Sequence, residues 1–443
     1  MNTAVSQPRQ ELSLLDSTSL IVGIIIGVGI YQMAPDIAKG AGSGWGVMAL
    51  WLVGGALSLC GALGYAELAT AYPRQGGDYI YLSRAYGRPA GFLFAWAQLV
   101  VVRPGDIAVM AFAFATYARS AFGIKTLRAQ EALAVGAVAV LTVINVLGVR
   151  QGKRAQNLLT AVKALGLLTI FAVAMLTPRA PVSVAEVPAL PLSLALIFVL
   201  FTFGGWNEMA YVAAEVRNPR RNITRALVLG TVAVTALYLL VNGAFLHALG
   251  FAGLATSEAV AADAVATAFP RLGASLVSAL ICVSALGAVN GLIFTGARIS
   301  WAVGQDYGLF RWLGKWEADR STPGRALLLQ GGIAIALILA LGTFVDAVLY
   351  TAPAVYAFYF ATTLAVAVLR RKEPATPRPY RVTWFPLPTI VFCLVCAWLI
   401  YSAVIYKPWI AAAALGVFLL GLPVYYFSSK PPVSPGETGS RTP

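Results

Sequence analysis

Two glycine clusters hold most of the chemistry open to this chain. The first reads Gly23-Ile24-Ile25-Ile26-Gly27-Val28-Gly29-Ile30, and the second reads Phe201-Thr202-Phe203-Gly204-Gly205-Trp206-Asn207-Glu208. Each lies in the middle of an apolar run long enough to be a membrane helix, and each can interrupt it. A helix broken in hydrocarbon leaves free N–H groups at the start of one half and free C=O groups at the end of the other. These must find a partner or line a cavity. A zwitterion supplies both partners: its carboxylate can rest on the N–H groups around Val28, Gly29 and Ile30, and its ammonium can meet carbonyls near Ile25 and Phe201. Glycine suits such a place because a side chain would hold the ligand off the backbone. The pattern favours an amino acid over a sugar or an inorganic ion. One cluster alone would read as close helix packing of the small-xxx-small kind. Two clusters at matching positions, one followed by Asn207 and Glu208, read as a pair of broken helices.

The ionisable residues at membrane depth come next. Glu208 is a functional candidate by its position. It can recognise a cationic or polar side chain, carry a proton coupled to transport, or simply be paired with a neighbour. Asp106 raises the same question as a coupling or gating residue, and with Glu208 it keeps open a proton-coupled carrier or one for cationic amino acids or polyamines; a local ion pair with Arg103, three residues earlier and one turn apart, is the expected account. Lys163 stands in the apolar run from Leu158 to Met175, where snorkelling toward Arg154 would satisfy it. His247, near the outer end of its run, is expected at the interface rather than as a pH sensor. Cys60, Cys282, Cys393 and Cys396 all fall in apolar runs, and the Cys393/Cys396 pair reads as packing rather than redox chemistry. No metal ligand set and no cofactor motif is expected. With one histidine and no HExxH or GxSxG on a suitable element, a membrane enzyme is disfavoured.

The elements that must position these residues are membrane helices. Of the 443 residues 59% are hydrophobic and 11% charged, with a mean hydropathy of +0.77, far from the roughly 25% charged content of a soluble domain. About twelve runs are long enough to cross a hydrocarbon core roughly 30 Å thick. They lie near 14–34, 44–70, 89–120, 129–149, 155–177, 192–214, 224–249, 272–304, 325–343, 346–369, 384–406 and 408–427. The fold expected is an all-α polytopic membrane protein of about 12 transmembrane helices, with a 5+5 inverted repeat and broken helices 1 and 6. Residues 1–13 form an N-terminal tail, 14–177 the first repeat, 192–370 the second, 384–427 two further helices, and 428–443 a Pro- and Ser-rich disordered tail. The N-terminal dozen residues lack the apolar region of a cleaved signal peptide, so helix 1 is expected to be retained. The net charge of +14 sits in short loops, among them Arg150, Lys153 and Arg154, then Arg217, Arg220, Arg221 and Arg225. It is therefore read as positive-inside bias and not as a nucleic-acid surface. That bias puts both termini in the cytoplasm.

Longer motifs narrow the reading. Tyr65-Ala66-Glu67-Leu68 through Tyr72-Pro73-Arg74-Gln75-Gly76-Gly77-Asp78-Tyr79 resembles the loop after helix 2 in the amino acid-polyamine-organocation superfamily. Val102-Arg103-Pro104, Gly148-Val149-Arg150, Thr160-Ala161-Val162-Lys163, the second glycine cluster, Glu215-Val216-Arg217-Asn218-Pro219 and Gly287-Ala288-Val289-Asn290-Gly291 are similar to the L-type amino acid transporter family, in order, from about residue 13 to 380. The resemblance implies a sodium-independent exchanger of neutral amino acids working by alternating access. It assigns Phe201 to an aromatic gate, Gly204 to the break in helix 6 and Asn207 to the pocket, with Phe203 in the same segment. Lys163 matches a lysine whose ammonium stands where sodium binds in sodium-coupled relatives, and Tyr238 a tyrosine that works with it. The family's helix 1 motif is commonly Gly-Ser-Gly, whereas this chain has Gly27-Val28-Gly29 and so lacks a hydroxyl for the substrate carboxylate. Glu208 stands where relatives often carry an aromatic or apolar residue. Eukaryotic members tether a heavy subunit through a cysteine between helices 3 and 4; the stretch Phe122 to Arg128 has none, so no covalent heavy subunit is expected. The composition leans toward a bacterial inner membrane.

Overall fold

The computed structural model describes residues 10–428, apart from residues 75, 123–126, 181–186, 188, 258, 270–272, 341–343 and 407. The expected tails, except for their innermost residues, lie outside the described residues. So does most of the loop from 122 to 128, on which the heavy-subunit expectation rests.

Helix 1 is assembled from short-range signals. Ser13 and Asp16 cap each other, Asp16 N–H on Ser13 Oγ at 3.2 Å and Ser13 N–H on Asp16 Oδ2 at 3.0 Å, a reciprocal box that starts α1 (Leu14–Ile25). The chain leaves helical geometry at Ile26 and resumes as α2 (Gly29–Gln32) and α3 (Ala34–Ala41). α4 (Gly44–Ala71) then crosses without interruption, and α5 (Asp78–Tyr86) follows as a short helix. α6 (Arg88–Ala97), a π-helical turn over Gln98–Val102 and α7 (Arg103–Phe122) continue as one span. α8 (Leu127–Val146) and α9 (Val149–Met175) close the first half.

α10 (Leu192–Thr202) stops at the second glycine pair, and Trp206–Glu215 carries on as a 3-10 helix. After it come α11 (Pro219–Thr256), which kinks at Gly250, then α12 (Val260–Ala266) and α13 (Gly273–Asp306). α14 (Gly324–Ala340), α15 (Phe344–Lys372), α16 (Leu387–Tyr406) and α17 (Pro408–Ser428) complete the bundle. Among the described residues nine segments are long and apolar enough to cross a membrane, and three shorter apolar helices within α14, α16 and α17 bring the number to the expected twelve.

Leucines such as Leu158, Leu165, Leu394 and Leu415 are exposed on the outer surface, so apolarity does not mark the interior of this protein. Small residues do. A Cβ on Gly23 would strike Gln156 and Thr160 of α9, one on Gly54 would strike Val199 of α10, and one on Gly291 of α13 would strike Ile24 of α1. Close backbone approach of this kind is how helices gain dispersion contacts in lipid, where no hydrophobic force separates them from the solvent. As a result α1 is held between α9, α11 and α13. Buried ion pairs complete the interior. Arg298 on α13 meets Glu215 in two parallel bonds of 2.9 and 3.1 Å, and Glu67 on α4 takes two bonds from Arg370 at 2.8 and 2.6 Å.

Candidate functional site

The two interruptions touch. A Cβ on Gly29 would come within 2.7 Å of Thr202 Oγ1, and one on Gly205 within 2.6 Å of Ile24 Cγ2. Gly205 also has φ of 113°, a conformation that side-chain-bearing residues rarely adopt.

The carbonyl groups freed at the end of α1 are taken up by side chains. Lys163, fully buried, donates to the carbonyls of Gly23, Ile26 at 2.7 Å and Ser284 at 3.1 Å. All three ammonium hydrogens are thereby used, and the side chain does not snorkel to an interface. Ser284 Oγ lies 3.1 Å from the Ile26 carbonyl and 3.0 Å from that of Gly27. The Tyr238 hydroxyl lies 2.9 Å from the Ile25 carbonyl and 3.3 Å from the Thr202 carbonyl, so one residue of α11 ties both interruptions together. The donors across the gap differ. Among the described residues no acceptor engages the N–H of Val28, Gly29 or Ile30.

A cavity of about 120 Å³ lies at this junction. Ile25, Gly27, Gly29, Phe201, Gly204, Asn207, Glu208 and Asp106 line it. Ile26, Val28, Ile30 and Phe203 do not; all four are fully buried in packing. Phe203 stands between Trp51 and Tyr238, with ring centroids 6.0 and 5.2 Å away. Val28 faces the core as well, so the missing family hydroxyl is missing from a side chain outside the cavity wall. Lys163 and Tyr238 reach the site only through the backbone they bind.

Glu208 is paired. Arg103 Nη2 is 2.6 Å from its Oε1 and Thr295 Oγ1 is 2.5 Å from its Oε2, with both charged side chains 4% exposed. Arg103 Nε donates to Gln98 at 3.1 Å, and its guanidinium lies 5.0 Å from the centroid of the Tyr211 ring. The local Arg103–Asp106 pair expected from the sequence is therefore not formed. Helix side chains lean toward the N-terminus, so Arg103 reaches back to Gln98 and across to Glu208, while Asp106 lies one turn in the other direction. Asp106 is left without a hydrogen bond or ion pair among the described residues.

Several wall residues escaped the sequence reading. Asn207 bridges two hydroxyls, donating to Tyr211 at 3.1 Å and accepting from Tyr359 at 2.9 Å. Tyr211 in turn donates to Asp78 at 2.7 Å, and Asp78 also accepts from Thr362 at 2.5 Å and from Tyr65. Tyr211 carried a signal, since it follows Asn207 by four residues on one face. Tyr359 and Thr362 carried none, because their contacts span more than 150 residues of sequence. Outside the site, His247 Nε2 lies 3.0 Å from the Thr177 carbonyl, and the four cysteines are free thiols.

Two interrupted helices around a cavity, inside a bundle of twelve spans, define a secondary membrane transporter. The particular lineage follows from comparison: the chain belongs to the amino acid permease family, whose profile matches residues 12–420, and is an integral membrane amino acid transporter of the superfamily read from its motifs. It is 32% identical to the b(0,+)-type amino acid transporter 1 of Mus musculus over 95% of this chain and 88% of that protein. It is 30% identical to the Asc-type amino acid transporter 1 of Mus musculus, and 31% identical to the large neutral amino acids transporter small subunit 2 of Homo sapiens. Both of these alignments cover 96% of this chain and 82% of the relative.

Proposed function

We propose that this chain exchanges neutral amino acids across a bacterial inner membrane by alternating access, without sodium, with both termini cytoplasmic and no covalently tethered heavy subunit. The observation that carries the reading is the asymmetry at the helix 1 break. Carbonyls of Gly23, Ile26 and Gly27 are occupied by Lys163 and Ser284, while the N–H groups of Val28, Gly29 and Ile30 wait for an anion. A substrate carboxylate satisfies them. The Ile25 carbonyl accepts from the Tyr238 hydroxyl at 2.9 Å and from the Gly27 N–H at 2.7 Å, and the Phe201 carbonyl from the N–H groups of Gly204, at 2.9 Å, and Phe203, so a substrate ammonium meeting either carbonyl displaces one of these donors.

Sodium independence follows from Lys163. A fixed ammonium on the carbonyls of helix 1 supplies the positive charge that a bound cation would otherwise bring, and nothing has to bind there before the amino acid does. Phe201, in the wall beside Gly204, is the aromatic side chain that covers the substrate. No covalent step is assigned to any residue. The name of the large neutral amino acids relative fits a neutral cargo.

The test is uptake of labelled alanine and leucine into proteoliposomes, either empty or preloaded with unlabelled amino acid, in sodium or choline buffer. Uptake is expected only with preloading and equally in both buffers. Equal uptake into empty vesicles overturns exchange, sodium dependence overturns the role of Lys163, and uptake of putrescine alone overturns the amino acid reading.

A further inference from the structure

A chain of hydrogen bonds runs along the cavity wall, and one carboxyl group holds its far end. Asp78 stands in the first turn of α5, and its Oδ1 accepts the hydroxyls of Tyr65 on α4 and of Thr362 on α15, the latter at 2.5 Å. Its Oδ2 accepts the hydroxyl of Tyr211 at 2.7 Å. The Tyr211 oxygen, with its proton turned toward Asp78, receives Nδ2 of Asn207 at 3.1 Å, and Asn207 Oδ1 receives the hydroxyl of Tyr359 at 2.9 Å. Asp78, Tyr211, Asn207 and Tyr359 all line the cavity.

Every bond in this chain points the same way. An amide has a donor end and an acceptor end. Turned over, Asn207 would set its oxygen against that of Tyr211, whose proton is committed to Asp78, and its amino group against Tyr359, so both bonds would be lost or remade. The acceptor at Asp78 therefore decides which atom of Asn207 faces which neighbour. Burial pushes the Asp78 carboxyl up, and the hydroxyls of Thr362, Tyr65 and Tyr211 pull it back; those three bonds favour the accepting form, which is the form the chain needs. We propose that Asp78 is a positioning residue for the substrate: acting through Tyr211, it fixes the side-chain amide of Asn207, so that the wall beside the helix 6 break offers the amino acid one arrangement of donor and acceptor instead of two. This deepens the amino acid transport reading and rests on it. Asn207 is the residue that meets the substrate, and the part of Asp78 is indirect.

Exchange of labelled alanine is measured against alanine concentration in proteoliposomes of the full chain. Tyr211→Phe cuts the chain beside Asn207 and is expected to raise the half-maximal concentration about three- to tenfold, the worth of one hydrogen bond, with the effect on that concentration and not on the maximal rate. Asp78→Ala removes the acceptor one step further back and is expected to raise it by the same factor. Asp78→Asn leaves one oxygen for three hydroxyls and is expected to fall between. The double variant Asp78→Ala/Tyr211→Phe is expected to match either single one, because both act through the same bond. For a variant that does not exchange, alanine affinity is read from thermal stabilisation of the purified protein, and if Asp78→Ala cannot be purified, Asp78→Asn takes its place in the cycle. Wild-type affinity in the Asp78 variant overturns the proposal, as do factors that multiply in the double variant. So does a fall in maximal rate and melting temperature with affinity unmoved, which would make Asp78 an anchor of the fold alone. A wild-type chain that neither exchanges nor binds alanine defeats the transport reading instead, so the two failures are told apart.

Discussion

A lysine in lipid survives only where its charge is answered, and Lys163 answers three carbonyls at once. The fit is tight, because a Cβ on Gly287 would lie 2.7 Å from both Cε and Nζ of Lys163. Replacing Lys163 by Met leaves buried carbonyls unsatisfied, each costing about 1–3 kcal/mol. Lys163→Met is therefore expected to abolish exchange and to lower the melting temperature of the detergent-purified protein. Lys163→Arg should not rescue it, since the planar guanidinium matches neither the space nor the three diverging acceptors; recovered exchange with Arg would disprove the geometric argument. Glu208 behaves differently. Because it is locked between Arg103 and Thr295, Glu208→Gln strands a buried guanidinium at a cost of about 3–5 kcal/mol. The expected readout is a fall in the thermal stability of the purified protein with the order of amino acids in the exchange assay unmoved. A changed order of amino acids at full stability would make Glu208 a recognition residue after all.

The paired interruptions are the functional element, and Gly205 is where their geometry is most constrained. Its φ of 113° and the 2.6 Å approach to Ile24 Cγ2 both exclude a side chain. Gly205→Ala is expected to add about 1–3 kcal/mol of local strain, abolishing exchange while the protein still reaches the membrane and elutes as a single species; exchange at the wild-type rate would show that the two breaks need not touch. Elements of this kind were open to sequence reading, because a membrane span announces itself by length and apolarity and a break by glycine. The twelve spans fall within a few residues of where the sequence puts them, save that α9 begins at Val149 rather than near 155 and α11 runs Pro219–Thr256 rather than 224–249, their charged first turns having read as loop. The short helices α3, α5 and α12 are too brief and too mixed in polarity to signal themselves. Pairing between spans was the illegible part. Arg103 reads as a partner for Asp106 along the chain and chooses Glu208 across the bundle, a choice set by side-chain lean and by the π-helical turn before it. The orientation of Val28 was hidden for the same reason: the backbone turns within Ile26–Val28, and periodicity says nothing about which way.

At the scale of the whole molecule, alternating access requires α1 to leave its neighbours, and its N-terminal end is where this structure holds it. Asp16 accepts from Asn157 at 2.7 Å and meets Lys153 at 3.3 Å, while Lys153 also donates to the Glu11 carbonyl at 2.9 Å. Leu12 pairs through its backbone with Glu215 and Arg217, both at 2.8 Å, and Glu215 is fixed by Arg298. The latch joins α1 to α9, to the 3-10 segment after the second break and to α13, and Ser17, next to Asp16, is completely buried. Movement of the start of α1 away from the helices packed against it would expose Ser17, so a cysteine placed there reports the opening. In a Ser17→Cys chain, reaction with a maleimide is expected to be slow and to quicken about two- to fivefold when Asp16→Asn removes the ion pair with Lys153, a partly exposed pair being worth about 0.4–1 kcal/mol. The background from the four native thiols is subtracted with the wild-type chain; two of them, Cys393 and Cys396, are buried. A labelling rate indifferent to Asp16→Asn would mean that the two halves of the molecule open elsewhere and that α1 stays docked through the cycle.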